Sequence, residues 1–395
     1  MSFAKASVRD ADVAGKRALV RVDFNVPLDA GEVADDTRIR AALPTIELLR
    51  ERGAALILVS HLGRPKGEVD PALSMRPVGE RLAELIGTEV VQAPAVVGER
   101  VESLAAELEP GQVMLLENVR FELGETDDDP ALAKALARLA DVYVNDAFGA
   151  AHRAHASTAG VADMLPGYAG LLLEREVTEL TRVVESPRRP LVVVLGGAKV
   201  TDKVGVIDRF LEVADEILIG GAMCFSFFRA EGIATGNSLV EEPGVKLAKE
   251  ALRRARASRC ELRLPVDLVL GQRFAADAEP RESDGVEVPD GWMGLDVGPR
   301  SAAAYAETVG AAGTVLWNGP MGAFELVPFA AGTRTVAEAV AAAPGTTVVG
   351  GGDSVAALQQ LGLADSVDWL STGGGASLEL LEGRKLPGVE ALRDA

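Results

Sequence analysis

Short apolar runs alternate along this chain with longer segments of helical period, and that alternation limits the fold more than any other feature. A parallel strand covered by helices on both faces reads as a continuous apolar run, and successive parallel strands need a crossover between them. The runs predict strands at Leu19–Phe24, Ala55–Ser60, Val113–Glu117 and Val142–Asn145 in the first half. In the second half they predict Leu191–Leu195, Glu216–Ile219, Asp267–Leu270, Thr314–Trp317, Thr346–Val349 and Asp368–Leu370. The segment Arg38–Arg52 reads as a helix, with Ile39, Leu43, Ile46 and Leu49 on one stripe and Gly53 beyond its end. Pro44 inside it predicts a kink or a late start. At 395 residues the chain exceeds one ordinary core. The expected class is therefore α/β, with two doubly wound, Rossmann-like parallel-sheet domains joined by a hinge helix. The boundary falls near Ser186–Pro190, after a helical pattern that starts at about Gly170.

The formal net charge of −19 argues against a nucleic-acid partner. Neither half is a basic arm: residues 1–186 carry 20 basic and 31 acidic side chains, and residues 187–395 carry 20 and 28. An anionic ligand must then be met by local basic islands. Cys224 and Cys260 fit no disulfide framework or zinc pattern. No apolar signal core and no run of 18 apolar residues is present, so a cytoplasmic protein with no membrane partner is expected. No heptad seam calls for a partner chain, and a monomer is the default.

In open α/β sheets ligands bind beyond the carboxyl ends of the strands. In the first half those ends carry Asp23 and Asn25, His61 and Arg64, Arg120, and the stretch from Asp146 to Arg153. With Arg38 these give four arginines and a histidine, a set suited to forked hydrogen bonds on a small polyanion. Asp23 and Asn25 alternate along their expected strand and could accept from a hydroxyl. His152 and His155 lie three apart, but with no third ligand nearby they read as hydrogen-bonding residues rather than a metal site.

In the second half the strand ends carry Gly196 through Lys203, Asn318, Gly350 through Ser354 and Ser371 through Gly375. Lys199 and Lys203 lie four apart where a helix should begin, a spacing that lets both ammonium groups lie on one face around an anion. The segment completes neither G-x-x-x-x-G-K-[ST] nor G-x-G-x-x-G. The turns TTVVGGGDS (346–354) and STGGGAS (371–377) let backbone approach phosphates, and Asp353 could hold Mg²⁺ directly or through water. A short helix Leu378–Glu382 follows, ending at Gly383. The two halves thus suggest two sites, one on each domain.

At this point the chain resembles the phosphoglycerate kinase family. The resemblance is carried by RVDFNVP (21–27), SHLGRP (60–65), LLENVRF (115–121), DVYVNDAFGAAHRAHAS (141–157), GGAKVTDK (196–203), GLDVGP (294–299), WNGPMGAFE (317–325), GGGDS (350–354) and STGGGASLELLEG (371–383). One departure is Ala222, where the family often has a glycine. The resemblance implies reversible phosphoryl transfer between 1,3-bisphosphoglycerate and MgADP, giving 3-phosphoglycerate and MgATP, with Mg²⁺ as cofactor. It implies that Asp23, Asn25, Arg38, His61, Arg64, Arg120 and Arg153 hold the phosphoglycerate. Lys199 and Lys203 would face the nucleotide phosphates, beside Asn318. Gly294 would lie by the base and Glu325 would hold the ribose. Gly351, Gly352, Asp353 and Ser354 would line the phosphates, with Asp353 toward Mg²⁺. It also implies a phosphoglycerate domain over 1–170, a hinge over 171–190, a nucleotide domain over 191–375 and a segment 376–395 that crosses back to the first domain.

The nucleophile of such a reaction is a carboxylate already ionised at pH 7, so no general base is needed. Catalysis reduces to positioning and charge stabilisation, expected from Arg38, Lys203 and the N–H groups of Gly373, Gly374 and Gly375 after a domain closure. A catalytically silent scaffold would be signalled by loss of Arg38, Lys203 or Asp353, and none is lost. A nicotinamide-dependent dehydrogenase would need the dinucleotide turn that this chain lacks.

Overall fold

The computed structural model describes residues 3–395. The chain divides into two compact units, Met1–Thr178 with Lys385–Ala395, and Glu179–Arg384.

The first unit is built on a six-stranded sheet whose spatial order is Val90–Gln92, Val113–Leu115, Ala55–Val59, Arg17–Arg21, Val142–Asn145, Gly167–Ala169. Every neighbouring pair is parallel. All five residues of Ala55–Val59 are buried, which is why that strand reads as an unbroken apolar run. The strand expected at Leu19–Phe24 instead covers Arg17–Arg21. Val22 N–H still donates to Val59 O at 3.1 Å, but beyond Val22 the backbone leaves the ladder, and the Phe24 N–H donates to the Ser60 hydroxyl at 2.8 Å. Asp23 and Asn25 therefore sit in a loop beyond the strand end and do not alternate along the strand.

The helix Thr37–Glu51 runs on through Pro44. A proline inside a helix costs about 3 kcal/mol. Ile39, Ile46 and Leu49 on the same helix are wholly buried in the core, each worth about 1.5–3 kcal/mol, so burial outweighs the break.

The second unit repeats the plan. Its six-stranded sheet has the order Glu261–Arg263, Glu216–Ile219, Leu191–Leu195, Thr314–Asn318, Thr346–Gly350, Trp369–Leu370, again all parallel. Numbered along the chain this is 3-2-1-4-5-6, the dinucleotide-binding order, which reverses direction between Leu191–Leu195 and Thr314–Asn318.

One expected parallel strand is placed differently. Leu268–Gly271 is the middle strand of a separate antiparallel sheet, between Arg281–Glu282 and Met293–Val297. The buried Asp267 carboxylate accepts from the N–H groups of Arg300 and Ser301, both at 2.9 Å. That ties the strand entrance to the first turn of the helix Pro299–Gly310 and diverts it from the main sheet.

The division between units falls between Thr178 and Glu179, inside the helix Leu171–Glu185 rather than at Ser186–Pro190. The start of that helix is capped by the buried Asp146, whose Oδ1 accepts from Leu172 N–H at 2.9 Å. At the other end of the chain, Ala376–Arg384 counts with the second unit and only Lys385–Ala395 with the first. Lys5 Nζ reaches the carbonyls of Glu390 and Leu392 at 2.9 and 3.0 Å, and Asn145 Nδ2 donates to Gly388 O at 2.9 Å. Among the described residues no helix is long and apolar enough to cross a membrane.

Candidate active site

The first unit's sheet order reverses between Arg17–Arg21 and Val142–Asn145, and the loops beyond these ends bring basic residues together. Arg21, which follows the buried apolar run Ala18–Val20 at the end of its strand, is 1% exposed. Its guanidinium donates to Ser157 Oγ at 2.8 Å, to the carbonyl of Val22, and to His61 Nδ1 at 3.2 Å. Arginine has no acceptor, so His61 Nδ1 is the unprotonated nitrogen and Nε2 carries the proton. Burial, together with the charges of Arg21, Arg120, Arg38 and Arg153, holds the His61 pKa well below its usual 6.5. His61 is thus a neutral donor at neutral pH. Its ¹⁵N and ¹³C resonances should show no titration midpoint near pH 6.5, and an ordinary midpoint there would sink this assignment. The same shift means that charging His61 opposes folding only as pH falls below 6.5.

The remaining residues proposed from the sequence converge on the same place. Arg38 Nη1 pairs with Asp23 Oδ2 at 3.0 Å, and Asp23 Oδ1 lies 3.9 Å from His61 Nδ1. Asn25 Oδ1 accepts from Gly63 N–H at 2.9 Å, pinning the loop that carries His61 and Arg64. Arg120 Nη1 donates to Gly63 O at 2.7 Å, while its Nε is buried with no hydrogen-bond partner. Burial and the charges of Arg153, Arg21 and Arg64 push Arg120 down to about 10, so it stays charged at pH 7. Arg64 and Arg153 are exposed, and Arg153 Nε donates to His152 Nε2 at 3.0 Å. Glu125 is buried and engaged by Ser157 N and Oγ at 3.0 and 2.6 Å, with His155 Nδ1 at 3.6 Å. Five arginines thus gather around Asp23 and Glu125, an excess of positive charge that a bound polyanion would offset. Sequence reasoning missed Arg21 and Glu125; the signal for the first was an arginine closing a buried apolar run.

In the second unit the strands Leu191–Leu195 and Thr314–Asn318 lie at the reversal point, and Lys203 bridges the loops after them. Its ammonium donates to Asn318 O at 2.8 Å and to Asn318 Oδ1. Only 8% of Lys203 is exposed, and burial lowers its pKa to about 8 against the opposing pull of Asp353 and Asp202. Lys199 does not share a helix face with it. The helix begins at Val204, and Lys199 sits in the preceding loop, its Nζ 3.5 Å from Glu241 Oε1. The reason lies in the glycine pair before it: Gly196 N–H is bonded to Asn318 O and Gly197 N–H to Pro320 O. A Cβ on Gly196 would fall 2.0 Å from Pro320 O, so this backbone is committed to the neighbouring loop and cannot wind early into helix.

Beside the Gly196–Gly197 turn, lined by Gly197 and Ala198, opens a cavity of about 580 Å³. Gly294, Glu325 and Asp353 line it, with Phe225, Leu239, Phe274, Leu295 and Phe324 supplying apolar wall and Ala222 at the departure noted above. A Cβ on Gly294 would stand 2.1 Å from the Phe225 ring, so the wall requires glycine there. Asp296 also lines the cavity: its carboxylate accepts from Gly332 and Val297 N–H at 2.7 and 2.9 Å, and burial raises its pKa to about 7. No spacing or motif in the chain pointed to that role. Gly351, at φ 88°, turns the chain so that Gly352 opens the helix Gly352–Gln360, leaving Asp353 exposed in its first turn. Ser354 faces inward, and its Oγ accepts from Gly319 N–H at 2.6 Å. In the last turn Gly373 N–H donates to Ser371 Oγ at 3.3 Å, so one of the three glycine donors is engaged within the turn, and Gly375 opens the helix Gly375–Leu381.

Among the described residues no three or more His, Cys, Asp and Glu side chains form a metal cage. The single exposed carboxylate of Asp353 fits Mg²⁺ in the way that ion is usually held, by one or two carboxylates plus substrate phosphates.

The phosphoglycerate kinase family model matches residues 8–384. A phosphoglycerate kinase of Roseiflexus sp. (strain RS-1) is 54% identical over 395 residues, covering 100% of both chains. One of Chloroflexus aurantiacus is 55% identical over 397 residues and 99% of each chain. Among solved structures, phosphoglycerate kinase from Coxiella burnetii superposes with TM-score 0.88 at 38% identity, and that from Pyrococcus horikoshii OT3 with 0.87 at 33%, each over 98% of both chains.

Proposed function

Because this chain belongs to the phosphoglycerate kinase family, which carries out a phosphoryl transfer of glycolysis, we propose that its two strand-end sites hold the two substrates of that reaction. The arginine cluster of the first unit takes 3-phosphoglycerate or its acyl phosphate, through Arg38, His61, Arg64, Arg120 and Arg153, with Asp23 and Asn25 toward the hydroxyl. The cavity of the second unit takes the nucleoside between Gly294 and Glu325. Lys199, Lys203, Asn318 and Gly351 through Ser354 surround its phosphates.

The observation that carries this reading is Lys203, a lysine 8% exposed at the sheet's reversal point and within the field of Asp353, which itself lines the cavity. A buried ammonium there is poised for an anion. In the ATP-consuming direction the substrate carboxylate attacks the terminal phosphorus; an O–P bond forms as the bridging O–P bond to ADP breaks. No proton moves, so His61 serves as a neutral donor and not as a base. Arg38, Lys203 and the backbone of Gly373 to Gly375 meet the charge on the group in flight. Mg²⁺, when bound with the nucleotide, neutralises phosphate charge, and Asp353 is the residue that would hold it.

Two substrates held on separate units cannot react until brought together, so the helix Leu171–Glu185 and the linker to Pro190 serve as a hinge. Small-angle scattering should show a smaller radius of gyration with both substrates than with either alone. An unchanged radius during turnover would remove the hinge from the account. We also place the protein in the cytoplasm as a monomer.

The direct test of the activity is ATP consumption with Mg²⁺ and 3-phosphoglycerate, coupled to removal of the acyl phosphate. Turnover that requires both substrates supports the enzyme. Binding of MgADP without any turnover would favour a silent scaffold instead.

A further inference from the structure

Asn118 is among none of the residues expected to touch a ligand, yet its side chain is wholly buried and its hydrogen-bonding capacity is filled. Oδ1 accepts from Leu62 N–H at 3.2 Å and from Arg120 N–H at 3.1 Å. Nδ2 donates to Leu62 O at 2.7 Å and to Leu73 O at 2.9 Å. A side-chain amide that takes both polar groups of one residue copies a pair of ladder bonds, so Leu62 is fixed in place and in rotation. Leu62 sits between His61 and Gly63–Arg64, the loop that supplies two groups to the arginine cluster. Arg120 supplies the third, from the 3₁₀ turn Val119–Phe121 that begins beside Asn118. Three further bonds join the same two segments: Val119 N–H to Ser60 O at 3.1 Å, Arg120 Nη1 to Gly63 O at 2.7 Å, and Gly67 N–H to Arg120 O at 3.1 Å.

We propose that Asn118 is a positioning residue for the phosphoglycerate site, setting the spacing between the loop that carries His61 and Arg64 and the turn that carries Arg120. This rests on the assignment of the arginine cluster as that site. The carboxamide is required for chemical reasons. A carboxylate of the same shape would satisfy the two N–H groups but face two carbonyls with negative charge, and an alanine would leave two donors and two acceptors buried without partners. A binding group misplaced by about 1 Å can lose up to ~10²-fold in rate, so small slips of this clamp are expected to be read at the substrate.

The test compares Asn118→Ala, Asn118→Asp and Arg64→Ala, each checked for a cooperative melt above the assay temperature. Both Asn118 variants should raise the KM for 3-phosphoglycerate by about 10- to 100-fold while the KM for MgATP stays within about twofold. A general loss of folding would move both constants alike, and that result would overturn the inference. If Arg64→Ala raises the KM for 3-phosphoglycerate but neither Asn118 variant does, the clamp fails while the site stands. If Arg64→Ala also leaves it unchanged, the site assignment fails and the inference with it. Should neither Asn118 variant fold, hydrogen exchange in the wild type decides. The amides of Leu62 and Arg120 share one acceptor and should open together, whereas protection factors differing by more than about tenfold would contradict a common clamp.

Discussion

Replacing Lys203 by methionine is expected to lower kcat by about 10²–10³-fold, the loss seen when one donor aimed at developing charge is removed. The size follows from the setting: Lys203 is 8% exposed, so on the proposed reading its charge would act on bound phosphates through little water. The substitution also has a second, independent signature. The folded pKa of about 8 lies below the ordinary 10.5, so between these values the unfolded chain binds the proton more strongly. Stability from this group therefore rises as pH climbs from about 8 toward 10.5, and below pH 8 the folded state carries the full cost of the buried charge. Relative to Lys203→Met, the wild type should gain roughly 2–3 kcal/mol over that interval. Melts of the two proteins at pH 7.5 and 10 would reveal the gain. An unchanged difference between them would mean that Lys203 is solvated and its assigned role is wrong.

Arg38→Ala is expected to cost about 10²–10³-fold in kcat, with a smaller change in the KM for MgATP. Arg38 is the cluster arginine paired with an acid, Asp23 at 3.0 Å, and it is half-buried on the helix Thr37–Glu51 rather than on a strand-end loop. The pairing holds the guanidinium in one orientation without neutralising the cluster, because Arg21, Arg64, Arg120 and Arg153 remain around it. Arg38→Lys keeps the charge but loses the planar fork, and recovery should be partial at best. A loss confined to the KM for 3-phosphoglycerate, with normal kcat, would make Arg38 a binding group and remove it from the transfer step.

The central strands were legible because each is buried on both faces, so Ala55–Val59 and Leu191–Leu195 are written as uninterrupted apolar runs. The edge strands Val90–Gln92 and Glu261–Arg263 were not, since three residues of mixed burial carry no period. Spacing arguments failed where tertiary hydrogen bonds decide the backbone. Lys199 and Lys203 look like helical neighbours, yet Gly196 and Gly197 tie the chain to Asn318 and Pro320 and delay the helix to Val204. Asp23 and Asn25 look like alternate strand positions, yet the Ser60 hydroxyl ends the ladder first. Strand-end placement did pick out residues that the structure brings together in each unit, because a doubly wound sheet forces its loops to one edge. What it could not supply was the layer beneath: Arg21 fixing the His61 tautomer, Asn118 holding Leu62, and Asp296 tying a cavity wall to a helix start. Those residues act through partners 36 to 56 positions away in the chain.

On the proposed reading, one cation from each unit acts on the transferring phosphoryl group without a general base. Rapid-quench single-turnover measurement of the transfer step, with both substrates saturating, tests it most directly in the wild type, Arg38→Ala and Lys203→Met. Transfer in the wild type is expected to stay flat with pH between about 6 and 7.5, and in each variant to drop about 10²–10³-fold. Transfer at wild-type speed in either variant, or a tenfold rise per pH unit in the wild type, would contradict that reading.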